Sequence, residues 1–311
     1  MGNNNTTGKT LYIIGNGFDI AHEIKSKYSD FKNWCEKRNI STQIDFLLNL
    51  NADWSNIEEA LGKDGTEDPI YENIDPYDGV YKGENPFNVS AKIKDSVKFL
   101  FKETMNFLKP ALKKWVDSIE IDNIKHKHIY TLEPDAYYLT FNYTETLEEF
   151  YNIPSKQICH IHGSRLVKDD EYVFGHDNKR EISIRNEDRL YDWEVNAKKA
   201  IIEYMNDFEK PYKSRKKILV DFINGKKIDK IIVYGHSLGR VDWQYFEKIV
   251  ELLGCKIPWE VDCFDDADVK RMHILENHLG LLNIKNKNTT IKTTTKYKLK
   301  QHTYEKFYKQ F

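Results

Sequence analysis

Four short loops, each bearing glycine or polar residues, follow apolar runs, and this recurrence constrains the fold more than anything else in the sequence. Gly15-Asn16-Gly17-Phe18-Asp19 follows Leu11–Ile14, and Thr140-Phe141-Asn142-Tyr143 closes Tyr137–Thr140. His162-Gly163-Ser164 follows Gln157–Ile161, and Gly235-His236-Ser237-Leu238-Gly239 follows Lys230–Tyr234. Short apolar runs bounded by turn formers predict buried strands. Helical spacing follows the first loop (Ile20, Ala21, Ile24, Tyr28), the second (from Glu145) and the fourth (Trp243–Leu253); a strand at Glu260–Phe264 and a helix from Asp266 to about Leu279 complete the series. Strands alternating with helices predict an α/β, Rossmann-like, mostly parallel sheet with helices on both faces. In such a sheet the carboxyl ends of the strands share one edge, where ligands bind, so the four loops are expected to converge on one crevice.

A helical and acidic insertion, about residues 40–130, interrupts this frame after the first strand and helix. Within it, the stretch near Asp53–Glu84 is rich in acids and turn formers and predicts solvated, mostly irregular structure. Ile93, Val97, Leu100, Phe101, Leu108, Leu112, Trp115 and Ile119 then recur near period 3.6, predicting a long helix that contains Pro110. Tyr172–Phe174 reads as a fourth strand, and Trp193–Phe208 and Ser214–Ile223 as charged helices. The sequence divides into an α/β domain over 1–282 and a Thr- and Lys-rich tail over 283–311, read as a hairpin or an extended arm. Lys plus Arg number 47 against 49 Asp plus Glu, so bulk charge names no polyanionic partner. The four scattered cysteines form no CxxC, the first residues lack an apolar leader, and no run reaches a membrane span; the expectation is a cytoplasmic protein without membrane contact.

Each loop has a functional reading and a plain one. Gly15 and Gly17 suit backbone amides cradling a phosphate at a helix N-terminus, or merely a tight turn; Ile20 occupies the place of the third glycine of the dinucleotide fingerprint. Asp19 reads as a helix cap, and a carboxylate there repels phosphate unless it caps or points away. Asn142 suits a ribose hydroxyl or a water, or an Asx-turn. His162 suits a general base, with Gly163 opening close access, or a hydrogen-bonded strand cap; His160 reads as its partner or as packing. Gly235-His236-Ser237-Leu238-Gly239 matches the G-x-S-x-G nucleophile elbow of serine hydrolases, with Asp265, Asp266, His273 and His278 as partners, yet no early oxyanion loop accompanies it. Cys255, Cys263, His273 and His278 match no compact zinc spacing, so no metal is predicted.

Taken together, Leu11–Asp19, Ser26–Phe31, Trp54 with Glu58-Glu59, Phe141–Thr144, His160–Gly163, Gly175-His176 and Gly235–Gly239 resemble the bacteriophage abortive infection AbiH family. More distantly, the set is similar to sirtuin-like NAD-binding proteins. That resemblance implies a sirtuin-like fold in which Gly15, Asn16, Gly17, Phe18 and Asp19 meet the cofactor. It further implies Asn142 at the nicotinamide ribose, His162 with Gly163 as the base, and Gly235 with Ser237 on the adenosine side. Protein-deacylating sirtuins carry a four-cysteine zinc module that this chain lacks, so the activity carried over is NAD destruction.

The resulting expectation is an anti-phage effector hydrolysing NAD, as substrate, to nicotinamide and ADP-ribose, with Asn142 and His162 as the catalytic pair. Its partners would be a phage-derived trigger, a companion defence protein or further copies of itself. The rival is a nucleotide or nucleic-acid sensor without turnover. The tail supports that rival, with eight lysines (from Lys285 to Lys309) against Glu305 and with Tyr297, Tyr304, Phe307 and Tyr308 interleaved for stacking on single strands. Lysines guarding a sheet edge are the plainer explanation. A serine hydrolase using Ser237 ranks third.

Overall fold

A computed structural model describes residues 8–40, 54, 57–62, 85–121, 129–168, 170–177 and 208–288, with scattered positions between 195 and 206. Its strands are β1 (Lys9–Ile14), β2 (Tyr137–Thr140), β3 (Ile158–His160), β4 (Ile228–Tyr234), β5 (Trp259–Val261) and β6 (Ile284–Asn286). All pair in parallel in the order β3-β2-β1-β4-β5-β6. The order reverses between β1 and β4, the switch point beyond which dinucleotides bind in Rossmann sheets.

Register explains why the loops meet. Ile14 pairs with both Thr140 and Tyr234, and Thr140 pairs with His160. Gly15, Phe141, Ile161 and Gly235 therefore leave the sheet at one level. Alternation along β1 serves two cores, because successive side chains in a strand point to opposite faces. Leu11 and Ile13 join Leu139, Ile231, Val233 and Trp259 beneath α6 (Tyr212–Ile223), α7 (Trp243–Leu253) and α8 (Asp266–Leu279). Tyr12 and Ile14 face the other way, with Tyr12 stacked on Tyr138 at 5.1 Å and on Tyr234 at 5.8 Å. Helices α1 (Asn16–Ala21) and α5 (Thr146–Tyr151) send Phe18 and Leu147 into that second core.

A third core lies off the sheet. There Phe31 and Cys35 of α2 (Tyr28–Glu36) pack with Trp54, Ile57, Leu108, Leu112 and Trp115. The predicted long helix is α4 (Pro86–Asp117), continuous through Pro110. One local expectation gains detail and another changes. The Asp53–Glu84 stretch contains a helix, α3 (Ile57–Gly62), because Trp54 and Ile57 anchor it in this core; residues 63–84 lie outside the described ones. Tyr172–Phe174 is not a strand: β3 ends at His160, and only Val173 N donates back, to His162 O at 2.8 Å. At the far end β6 extends the sheet beyond residue 282, parallel to β5, while residues 289–311 lie outside the described ones.

Candidate functional site

Beyond the strand ends lies a cavity of about 640 Å³, centred on the β1 and β4 loops and reaching Asn142 and His162 on one side and Asp262, Cys263 and Phe264 on the other. Of the residues singled out by sequence it gathers Gly15, Asn16, Gly17, Asp19, Asn142, His162, Gly235 and Ser237. Phe18 and Gly163 stand outside it. Phe18 is buried against the rings of His22, Tyr130 and Tyr151. Gly163 makes the turn after β3 at φ 95°, where a Cβ would meet Glu171 O at 2.8 Å. A larger hollow of about 930 Å³ lies between α6 and α7, lined by Lys213, Lys216, Lys217 and Lys248, away from the strand ends.

The β1 and β4 loops interlock. Gly17 N donates to Gly235 O at 2.7 Å, and a Cβ on Gly235, at φ 64°, would strike Phe18 N at 2.1 Å. Gly15 N donates to Tyr234 O and Phe18 N to Gly15 O. The glycines thus let two backbones touch, and these three amides are engaged within the protein. Asn16 likewise ties inward, its Nδ2 donating to Ser26 O at 3.0 Å.

Asn142 is buried and bridges loops: Nδ2 donates to Gly15 O at 3.1 Å and its backbone N to Thr140 Oγ1 at 3.1 Å. Beside it Asp19 is 1% exposed and accepts from Thr146 Oγ1 at 2.8 Å and from Thr144 Oγ1. Asp19 is no helix cap; it turns inward, under the loop. Burial pushes its carboxyl up to about 6, against the pull of the Thr144, Thr146 and Asn142 hydrogen bonds and the Arg165 charge. His160 supports the same loop, with Nδ1 3.0 Å from Asn142 O and Nε2 2.9 Å from Glu148 Oε1.

His162 belongs to a different cluster. Its Nε2 lies 3.3 Å from Asp242 Oδ1, off the hydrogen-bond line. His236 approaches the other oxygen, Nε2 to Oδ2 at 3.4 Å, while its Nδ1 accepts from Leu238 N at 2.9 Å; that assigns the proton to Nε2, facing the carboxylate. Lys210, its side chain fully buried, sets Nζ 2.9 Å from Asp242 Oδ1 and 3.3 Å from Glu58. Burial opposes the charge on Asp242, yet Lys210 and the two imidazoles outweigh it and hold the carboxyl well below its ordinary range. Burial likewise opposes charge on Lys210, and its two carboxylates raise it. Glu58 is raised, by burial first and by Asp242 as well, against Lys210. Burial and Lys210 bring His162 down to about 4, so it is neutral near pH 7 and able to accept a proton.

The elbow-like loop is built differently from a hydrolase elbow, in which the serine itself sits on the strained turn. Here the left-handed non-glycine residue is Leu238, φ 55°, buried one position later. Ser237 Oγ accepts from Gly239 N at 3.4 Å and has no imidazole among its described hydrogen bonds. His273 and His278 bond Glu276 and Glu247 and do not line the cavity.

Sequence reasoning missed Asp242, Lys210 and the role of His236. Asp242 sits where a helix N-cap belongs, before Trp243, yet makes no capping bond. Glu58 stood only within the Trp54-Glu58-Glu59 pattern. The fold and site define an α/β protein with a Rossmann-like sheet and a polar crevice at its switch point. Residues 11–262 match the family model for bacteriophage abortive infection AbiH, and the chain belongs to that family. Its place is therefore among anti-phage abortive-infection proteins. No curated protein and no solved structure matches it. Among the described residues no helix is long and apolar enough to cross a membrane.

Proposed function

We propose that this AbiH protein hydrolyses the nicotinamide–ribose bond of NAD in the crevice, depleting the cofactor in the cytoplasm of an infected cell. One observation carries the reading: Asn142 and His162 line a single cavity at the β1–β4 switch point of a 3-2-1-4-5-6 sheet. Water attacks the anomeric carbon, the C–N bond breaks, and its electron pair leaves with nicotinamide, which departs neutral and needs no acid. The water's proton passes to neutral His162 and then to solvent. Asn142 donates to Gly15 O through Nδ2, and its Oδ1 serves to accept from a ribose hydroxyl or the attacking water. Buried carboxylates beside the ribose favour its developing positive charge.

Incubating the purified full chain with NAD tests this; released nicotinamide and ADP-ribose are expected. The alternative is a nucleotide sensor without turnover; in either reading the amides of Gly15, Gly17 and Phe18 already donate within the protein and do not cradle a phosphate. Calorimetric binding of ADP-ribose with no nicotinamide released would select the sensor.

A further inference from the structure

The cavity has two unlike ends, and the end beyond β5 carries a group that the chemistry above leaves unused. Several rings line the cavity, and most are already packed on other rings. Tyr130 stacks on Phe18 at 5.0 Å, Phe141 meets His162 and His236, Tyr143 lies 5.0 Å from Tyr172, and Trp115 packs on Phe31. Phe264 differs. It is 88% exposed and has no ring contact among the described residues, yet it lines the same cavity. A single exposed phenylalanine needs no explanation by itself. This one stands on a fixed backbone, its N donating to Asp268 Oδ2 at 2.8 Å, while Asp265 Oδ1 caps α8 by accepting from Asp268 N at 2.8 Å.

Asp262 lies two residues earlier, half-buried in the cavity wall. Its backbone N donates to Val233 O at 3.0 Å, and its carboxylate has no hydrogen bond among the described residues. Burial raises the Asp262 carboxyl, and the nearby ammonium of Lys287, which itself donates to the Tyr234 hydroxyl, pulls the other way. An open aromatic face two residues from a carboxylate that has no hydrogen bond among the described residues suits a flat ring bearing an amino group. The span fits as well. From the β2 end, where Asn142 lies, to the β5 end is three strand spacings, roughly 14 Å. That suits a ligand with two sugar–base ends joined by phosphates.

We propose that Phe264 and Asp262 form the base-binding end of the crevice, taking an adenine ring stacked on Phe264 with its exocyclic amine donating to Asp262. The assignment rests on the nucleotide reading of the cavity and orients the ligand, with the adenine at β5 and the scissile bond at Asn142 and His162.

Calorimetry with the full chain tests it, using ADP-ribose, ribose 5-phosphate, ADP and inosine 5′-diphosphate as probes. Phe264→Ala should weaken ADP-ribose binding about five- to a hundredfold, the range for losing one base–aromatic stack, while Phe264→Tyr stays close to wild type. Ribose 5-phosphate should bind Phe264→Ala and wild type alike, and Asp262→Ala should erase a preference for ADP over the inosine nucleotide. ADP-ribose binding unchanged in Phe264→Ala overturns the base site and leaves the crevice reading standing. Equal weakening of ADP-ribose and ribose 5-phosphate overturns it too, because stacking is then not what was lost. Failure of the wild type to bind any probe overturns both.

Discussion

Two buried carboxylates, Asp19 and Asp242, line the same cavity, and they are stabilised in opposite ways. Asp19 is surrounded by neutral donors, the hydroxyls of Thr144 and Thr146 and the Asn142 amide, and burial raises it to about 6. Asp242 faces a buried ammonium and two imidazoles, and is held well below its ordinary range although burial pushes the other way. Equal burial therefore does not set the charge; the partner does. The Asp19 side is a hydroxyl-bonded tie between the β1 and β2 loops. The Asp242 side is an ionic lock in which Lys210 joins Asp242 to Glu58, with neutral His162 beside it.

The largest effect should come from breaking the lock. Lys210→Met leaves Asp242 without its cation in a buried site and should cost about 3–5 kcal/mol, whereas Lys210→Met with Asp242→Asn should recover much of that. Urea unfolding measures both, and a double variant no more stable than the single would contradict the lock.

Next come pH profiles, in which Asp19 and His162 oppose each other. Asp19 rises from 3.8 to about 6 on folding, so it costs stability above pH 6 and that cost vanishes below 3.8. His162 falls from 6.5 to about 4, so acid favours the unfolded chain across that window. Each contribution is about 3 kcal/mol. Relative to wild type, Asp19→Asn should gain stability as pH rises from 4 to 6.5, and His162→Gln should gain as pH falls over the same range. Profiles parallel to wild type would mean the two groups do not titrate as their surroundings dictate.

Thr146→Val removes one donor from Asp19 and should cost about 1–3 kcal/mol through the acceptor left unpaired. The smallest effect belongs to Ser237. Ser237→Ala should cost about 0.5–1.5 kcal/mol in nucleotide binding, the value of one hydrogen bond, and a fluorophosphonate should not label the wild type. Stoichiometric labelling at Ser237 would restore the hydrolase alternative.

The contrast between the two carboxylates also marks what the sequence could reveal. The strands were legible because Leu11–Ile14, Tyr137–Thr140 and Lys230–Tyr234 are short apolar runs that end in turn formers, and parallel pairing then brings their loops to one edge. Asp242 was not, because an aspartate before a helix reads as a cap. Lys210 follows Glu209 in a charged stretch and looks solvated; only tertiary contact shows it buried. Tyr172–Phe174 has strand composition but no strand to pair with, since β3 is three residues long and ends at His160. Gly15 and Gly17 were legible as special, though their spacing could not distinguish a ligand's approach from that of a second backbone, and in the structure Gly235 provides that backbone.

Asn142 and His162, the pair that lines the cavity, are the most direct point of test. Purified wild type, His162→Ala, Asn142→Ala and the double variant should be incubated with NAD and assayed for nicotinamide. Wild type should release it. Each single variant should lose ~10²–10⁴-fold in turnover, the scale of a positioned base, and the double little more than the worse single, as residues of one catalytic unit do. Nicotinamide released by both single variants at the wild-type rate, or none released by folded wild type, would contradict it.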